Sequence, residues 1–186
     1  TRADCLPPDV VEYLVQLSRR TFLMVELGLQ TVWDDTAERI NRCHTYDDFL
    51  EGYHALSQRG VSVCVHLING LPGEDASRMR ESARRIAALR PFGVKLHLLH
   101  VLRGTKLASE YESGAFEALP MEQYVQIVCD QLELFPSETV IQRVTGDGAR
   151  DSLIAPLWSL RKLVVMNEID KELKRRNSWQ GKNFTP

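Results

Sequence analysis

The chain has 186 residues, of which 44% are hydrophobic and 26% charged, and this composition excludes collagen-like, low-complexity and wholly disordered classes. Its 23 basic and 25 acidic side chains give a net charge of −2, so bulk charge does not attract it to nucleic acid or to an anionic membrane. No apolar run approaches the roughly 18 residues that span a bilayer, and a cytoplasmic protein is predicted. The cysteines at positions 5, 43, 64 and 129 form no Cys-x-x-Cys pair and are predicted to be free thiols.

Strands and helices are predicted to alternate along the chain, after a first helix with Val10, Val11, Leu14 and Leu17 on its apolar face. Such alternation predicts a parallel α/β sheet. The predicted strands are Phe22–Gln30, Val61–Asn69, Val94–His100 and Thr139–Thr145. The later predicted helices are Asp34–Asn41, Thr45–Arg59, Asp75–Leu89, Met121–Leu134 and Ala155–Arg176.

Consecutive strand residues point to opposite sides of a sheet, and this alternation separates an apolar face from a polar one. Leu27, Val65 and Leu96 represent the apolar side of the first three strands. A doubly wound sheet is apolar on both faces, whereas a barrel can carry polar residues in its lumen, so the pattern favours a barrel. The polar side holds Glu26, Gln30, His66, Lys95 and His97.

Four strands cannot close such a barrel, because closure requires enough strands for tilt and shear to match. We therefore expect an incomplete barrel that further residues precede, with the strand that begins at Phe22 exposed at the sheet edge. A second copy of the chain is predicted to cover that edge. Residues 1–150 are predicted to form the barrel part, and residues 151–186 a C-terminal extension that packs on it.

Three stretches of sequence are distinctive: Glu26–Thr31, Ile40–His44 and His66–Glu74. In their order and spacing they resemble the radical S-adenosylmethionine superfamily. The likeness is in particular to uncharacterised bacterial iron–sulfur oxidoreductase-like proteins related to the catalytic subunit of elongator and, more distantly, to oxygen-independent coproporphyrinogen dehydrogenase. It extends through Lys95–His100, Arg103–Thr105, Thr145–Gly148, Ala155–Trp158 and Ser178–Gly181.

The resemblance implies a partial barrel of six β/α units, a TIM-like (β/α)6 fold, of which this chain matches the later half plus a C-terminal extension. It also implies S-adenosylmethionine and a 4Fe–4S cluster as cofactors of the full-length protein. The three cysteines that bind the cluster in the family lie in the earlier half. Since a cluster needs several converging thiolates, this chain alone is expected to bind no metal and to be inactive.

The resemblance assigns cofactor-binding roles to residues at the strand ends. Gln30 is expected to bind the ribose, and Arg42, twelve positions later, the methionine carboxylate. His66 stands where relatives carry an aspartate that binds the ribose hydroxyls. From the residues alone, Arg42 has the alternative of a solvated or locally paired side chain, and His66 that of a core histidine. The backbone that flanks the adenine is expected at Ile68, Asn69 and Gly70, although a tight exit turn also explains the glycine.

The candidate substrate pocket holds polar residues of the lumen and of the strand ends. Lys95 has the alternative of neutralising Glu26 as a structural ion pair. Asp147 and Asp151 are predicted near the exit of the fourth strand, and tryptophans of the extension are expected to pack. The pocket residues are Glu26, Lys95, His97, His100 and Arg143.

The predicted function is that of a radical S-adenosylmethionine enzyme of unknown substrate. One alternative is a module that binds or modifies nucleic acid such as tRNA, suggested by the elongator relationship and by the basic stretches Arg78–Arg90 and Lys171–Arg176. Another is a metal-dependent barrel hydrolase that uses His66, His97 and His100. The opposite strand parity of His97 and His100 argues against their convergence on one metal.

Overall fold

The structure is a computed structural model that describes residues 1–146, 148 and 150–185, so that Asp147 lies outside the described residues. Four parallel strands form one sheet in the order β1-β2-β3-β5, and β4 and β6 form an antiparallel pair. All four predicted strands are present, with ends within two residues of the predicted ones. The strands are β1 Met24–Gln30, β2 Ser62–Asn69, β3 Gly93–Leu98, β4 Val101–Leu102, β5 Val140–Arg143 and β6 Leu153–Ala155.

Helices follow the strands as the sequence predicts, and local capping explains where two of them begin. Thr45 and Asp48 form a capping box at the start of α3, in which each side chain accepts the other residue's backbone N–H. The Asp75 carboxylate accepts the N–H of Arg78 at the start of α4. The helices are α1 Pro8–Ser18, α2 Asp34–Arg39, α3 Tyr46–Ser57, α4 Ala76–Ala88, α5 Lys106–Glu112, α6 Met121–Leu134 and α7 Lys162–Arg175.

The sheet has the two faces that strand alternation predicts. Leu27, Val65 and Leu96 are fully buried and belong to one hydrophobic core with apolar side chains of the helices. The opposite face carries partly exposed polar side chains, among them Glu26 and Lys95. This division gives the chain the wall of a partial barrel whose helices cover the outside and whose polar residues face the lumen. The predicted fold class is confirmed.

Strand β1 lies at the edge of the sheet, as predicted. Its outer side pairs with Thr1, whose amine donates to the Glu26 carbonyl (2.7 Å) and whose carbonyl accepts the Gly28 N–H (3.0 Å). These two hydrogen bonds flank Leu27 in the pattern of a parallel bridge. The edge therefore accepts further backbone in the same direction as β1.

Two predictions about helices were wrong. The predicted helix at Ala155–Arg176 begins only at Lys162. Ala155 belongs to β6 and pairs with Val101 of β4, and Pro156 lacks the N–H that a helix interior requires. In α1, Val15 is buried together with Val11, whereas Val10 is 37% exposed. The α5 helix and the β4–β6 pair were not predicted, since both are too short to show a period in the sequence.

The C-terminal tail is fixed by its Ser178–Gly181 stretch. The Gln180 amide donates to the carbonyls of Pro136 and Thr139, both at 2.7 Å. The Gly181 N–H donates to the Leu132 carbonyl at the end of α6. The tail thus satisfies one carbonyl of the last turn of α6 and two carbonyls of the loop that follows it.

Candidate functional site

Two clefts lie at the carboxyl ends of the strands, where barrel proteins carry their sites. The larger has a volume of about 690 Å³ and the smaller about 350 Å³, and Ile40 lines both. The larger cleft combines apolar residues with a polar rim, a combination that suits a heterocycle with polar substituents. Its apolar lining is Ile40, Ile68, Leu71, Pro72, Leu99 and Leu107. Its polar rim is Glu38, Arg39, Asn41, Lys106 and Glu110.

Gln30 lines the smaller cleft in an unusual backbone conformation. Its φ of 66° lies in the left-handed region, and the β1–β2 register shifts between Gly28 and Gln30. The Gln30 side chain folds back so that its amide can donate to the Leu29 carbonyl (2.9 Å). A β-carbon at position 28 would lie 2.7 Å from the end of that side chain, so Gly28 gives it room. Strain of this kind concentrates at functional sites.

Arg42 is buried behind Gln30, with 3% of its side chain exposed. Its Nη1 donates to the carbonyls of Leu29 (2.9 Å) and Thr31 (2.5 Å), on either side of Gln30. Nε donates to the His44 carbonyl, and Nη2 to Asp34. These bonds use four of the five guanidinium N–H groups among the described residues. Arg42 therefore holds the irregular end of β1, and its role toward a methionine carboxylate stays a prediction.

His44 also lines the smaller cleft, and the sequence analysis gave it no role. One percent of its side chain is exposed, and Nδ1 lies 3.2 Å from the Arg42 carbonyl. Burial lowers the pKa of His44, so the ring is neutral. Because a carbonyl only accepts hydrogen bonds, Nδ1 carries the hydrogen and donates it to the Arg42 carbonyl. Its buried Nε2 has no hydrogen-bond partner within the described part of the chain. Its only sequence signal was its position in the Ile40–His44 stretch.

The predicted adenine-flanking residues differ in orientation. Only Ile68 lines the larger cleft. The Asn69 side chain is buried and exchanges two hydrogen bonds of 2.8 Å with the Gln131 amide of α6, so it points into the core. Gly70 has a φ of 88°, and a β-carbon there would lie 3.1 Å from Leu119. An adenine contact by Asn69 or Gly70 would thus come from the backbone and stays a prediction.

Four predicted residues meet in the lumen. Lys95 Nζ lies 2.6 Å from Glu26 Oε1, and His66 Nε2 lies 2.8 Å from Glu26 Oε2. The rings of His66 and His97 are 5.1 Å apart. The hydrogen bond from Lys95 holds the pKa of Glu26 below its usual range, while burial lowers the pKa of His66 and brings that of His97 to about 4. The cluster is therefore an ionised pair beside two neutral imidazoles at neutral pH.

His100 and Arg143 complete the predicted set at the strand ends. His100 Nε2 lies 3.1 Å from the Ser159 hydroxyl, which itself donates to the Pro156 carbonyl. The ring packs against Gly146, where a β-carbon would lie 2.8 Å away. Arg143 stands opposite Lys95 in the β3–β5 register. Among the described residues no group of three His, Cys, Asp or Glu side chains is placed to hold a metal, so the hydrolase alternative finds no site there.

The four cysteines do not assemble a cluster site. Cys5 and Cys43 are exposed, whereas Cys64 and Cys129 are buried, and all four are free, as predicted. Burial raises the pKa of Cys64 to about 11 and that of Cys129 to about 12, which opposes the thiolate form that iron requires. The described cysteines thus do not fit a 4Fe–4S cluster.

Several arginines of the basic stretches named for the nucleic-acid alternative make ion pairs within the chain. In α4, Arg78 pairs with Asp35, Arg80 with Asp130, and Arg84 and Arg85 with Glu81. In α7, Arg175 and Arg176 pair with Glu172. Phosphate binding would have to compete with these carboxylates. The nucleic-acid alternative thus stays a prediction.

A barrel wall with clefts at its strand ends is typical of an α/β-barrel protein. Two family models match successive parts of it: the Radical SAM superfamily model matches residues 1–86, and the Radical_SAM C-terminal domain model residues 91–175. The chain belongs to the radical S-adenosylmethionine superfamily, as the sequence analysis predicted.

Relatives agree with this assignment. The uncharacterized protein YtqA of Bacillus subtilis is 51% identical over 184 residues, 99% of this chain and 57% of YtqA. Elongator complex protein 3 of Homo sapiens is 32% identical over 126 residues, 66% of this chain and 23% of that protein. The solved structure of Elp3 from Methanocaldococcus infernus, with an N-terminal deletion, has a TM-score of 0.83 at 19% identity over 97% of this chain and 42% of that one, which shows the shared fold.

The chain thus spans little more than half the length of YtqA. Within the described residues no helix is long and apolar enough to cross a membrane. The predicted division at residue 150, the cytoplasmic location and the partners stay predictions.

Proposed function

We propose that this chain supplies the S-adenosylmethionine-binding wall of a longer radical enzyme whose remaining part carries the 4Fe–4S cluster. The observation that carries the proposal is a pair of clefts that share Ile40 in their lining: the larger combines an apolar lining with a polar rim, and mostly polar residues line the smaller. The apolar lining of the larger cleft suits the flat adenine of the cofactor. The polar lining of the smaller cleft suits the hydroxyl, amino and carboxylate groups of its ribose and methionine. When bound together, the cluster and S-adenosylmethionine supply the reductive cleavage that generates the radical.

In this proposal each cleft has a defined task. The adenine rests on Ile68, and the Gln30 amide binds the ribose hydroxyls from the irregular end of β1. The remaining Nη2 N–H of Arg42 is the group available to the methionine carboxylate. The unpaired Nε2 of His44 offers an acceptor in the same cleft. The substrate enters the lumen below, beside Glu26 and its neighbours, with His100 and Arg143 at the strand ends.

The test uses the full-length protein, purified without oxygen and reconstituted with iron and sulfide, and measures 5′-deoxyadenosine formed from S-adenosylmethionine under reduction. We expect cleavage by the full-length protein and none by the 186-residue chain alone. Gln30→Ala is expected to weaken cofactor binding about tenfold, the effect of losing about 1.4 kcal/mol of hydrogen bonding. Gln58→Ala, an exposed position after α3, is the matched control.

Cleavage by the chain alone would overturn the assignment of cluster chemistry to the remaining part. Absence of S-adenosylmethionine binding by a full-length protein that holds its cluster would refute the proposal as a whole. A salt-dependent RNA shift by the full-length protein would instead identify RNA as substrate or partner. The oxidoreductase class of the reaction follows only if substrate oxidation accompanies cleavage.

A further inference from the structure

Three neighbouring strands contribute one side chain each to a continuous hydrogen-bonded row in the lumen. Lys95 of β3 contacts one carboxylate oxygen of Glu26 on β1 at 2.6 Å, and His66 of β2 contacts the other at 2.8 Å. Both carboxylate oxygens are thus occupied by charged or polar donors. An ion pair between Lys95 and Glu26 needs only these two side chains. The hydrogen bond from His66 to the second carboxylate oxygen is an additional interaction.

The row fixes the tautomer of His66. Lys95 keeps the Glu26 carboxylate ionised, and an ionised carboxylate accepts hydrogen bonds but donates none. The hydrogen between the two groups therefore belongs to His66 Nε2. A neutral imidazole with its proton on Nε2 has an unprotonated Nδ1, whose lone pair is oriented by the carboxylate on the other side of the ring. This is the arrangement by which carboxylates orient catalytic histidines.

The row is partly accessible, and its histidine is close in β2 to a residue of the larger cleft. The exposed fractions of the side chains are 37% for Glu26, 24% for His66 and 17% for Lys95. His66 precedes Ile68, which lines the larger cleft, by two positions on the same face of β2. His97, which packs against His66, has a buried Nε2 without a hydrogen-bond partner among the described residues. A buried ring nitrogen without a hydrogen-bond partner in the described protein is available to a bound ligand or water.

We propose that the Lys95–Glu26–His66 row is a proton-accepting site, with His66 as the base, for a substrate that carries an O–H or N–H group beside its reacting carbon. The proposal rests on the proposed function. The O–H or N–H bond of the substrate breaks, its electron pair stays on oxygen or nitrogen, and the proton forms a new bond to His66 Nδ1. The resulting imidazolium is balanced by the Glu26 carboxylate, and no oxidant or reductant is consumed in this step. The resemblance instead implied a ribose contact for His66.

The first test follows the His66 ring in the full-length protein by nitrogen NMR with labelled histidine, using His66→Gln and His97→Gln to assign the signals. We expect the neutral form with hydrogen on Nε2. Glu26→Gln should lower the His66 pKa, because it removes the facing negative charge, and Lys95→Met should raise it. The charged and titratable side chains that face His66 are Glu26, Lys95 and His97. Glu168→Gln, an exposed carboxylate of α7, is the control.

A hydrogen on Nδ1, or a His66 pKa that neither variant moves, would overturn the proposal. These measurements need no cofactor, so they stand even where the proposed function fails.

The second test separates a base for the substrate from a ligand of the cofactor. Calorimetry with S-adenosylmethionine on full-length His66→Gln should give a dissociation constant within about twofold of the unaltered protein, while Gln30→Ala raises it about tenfold. A tenfold rise for His66→Gln would place the ring on the ribose and overturn its assignment to the substrate. Loss of binding in the unaltered protein would refute the proposed function and leave the NMR result intact.

Discussion

Replacement of Arg42 by methionine tests whether this guanidinium holds the strand end or the cofactor. The substitution keeps an unbranched apolar stem and removes the donors to the carbonyls of Leu29, Thr31 and His44. Leu29 keeps a second donor, the N–H of Thr31. The main loss therefore concerns two carbonyls, each costing about 1–3 kcal/mol when left without this donor, so we expect about 2–6 kcal/mol less free energy of unfolding.

Urea unfolding measures this loss. Arg59→Met is the matched control, because Arg59 makes an exposed pair with Glu12 and its replacement should leave the transition midpoint unchanged. An Arg42→Met protein as stable as the unaltered chain would contradict the buried hydrogen bonds described above.

Cofactor analogues then separate the two roles in the full-length protein. If Arg42 positions Gln30, its loss weakens S-adenosylhomocysteine and methylthioadenosine by the same factor, roughly tenfold or more, since both ligands carry the ribose. If the remaining Nη2 N–H binds the methionine carboxylate, only S-adenosylhomocysteine loses affinity, because methylthioadenosine has no carboxylate. The second result would refute the positioning role, and unchanged affinity for both would remove Arg42 from the site.

Three further predictions concern the packing, the pH dependence and the sheet edge. Gln131→Leu should lower the free energy of unfolding by about 2–4 kcal/mol in urea unfolding, because it leaves the buried Asn69 amide without its partner. The double variant with Asn69→Leu should recover part of that loss, and equal free energies of unfolding for the single and double variants would contradict a coupled pair. Paired arginines lower the pKa of Glu172 to about 2, so its contribution to stability is complete above pH 4.5 and is lost as the pH falls toward 2. Glu172→Gln should make the free energy of unfolding depend less on pH across this window. An unchanged pH dependence of the free energy of unfolding would contradict the ion pairs. Light scattering of the chain alone should show self-association through the open side of β1, and a strictly monomeric species would contradict it.

The fold was largely predictable because its strongest signals are local. A period of two and a capping residue such as Thr45 are visible within a few positions, and both located strands and helices correctly. The lumen face followed from the same period, which is why Glu26, His66 and Lys95 were predicted on one side. The late start of α7 was missed because the pairing of Ala155 with Val101 depends on a segment more than fifty residues away.

The contacts of the site were less predictable for the same reason. Asn69 turns into the core because Gln131, 62 residues later, offers a matching amide, and no pattern within the strand reveals that partner. The burial of Arg42 depends on carbonyls that a register shift in β1 leaves open. Residue type and spacing thus identified the right neighbourhood, while the direction of each side chain depended on tertiary pairing.

The bridge between Thr1 and β1 has a consequence for assembly. Because one residue already follows the outer side of β1 in parallel, an extended segment in the same register continues the ladder at about 4.8 Å without rearranging the sheet. An extended segment that binds at this edge would do so through backbone hydrogen bonds alone, so strand addition is the mode of contact that β1 offers.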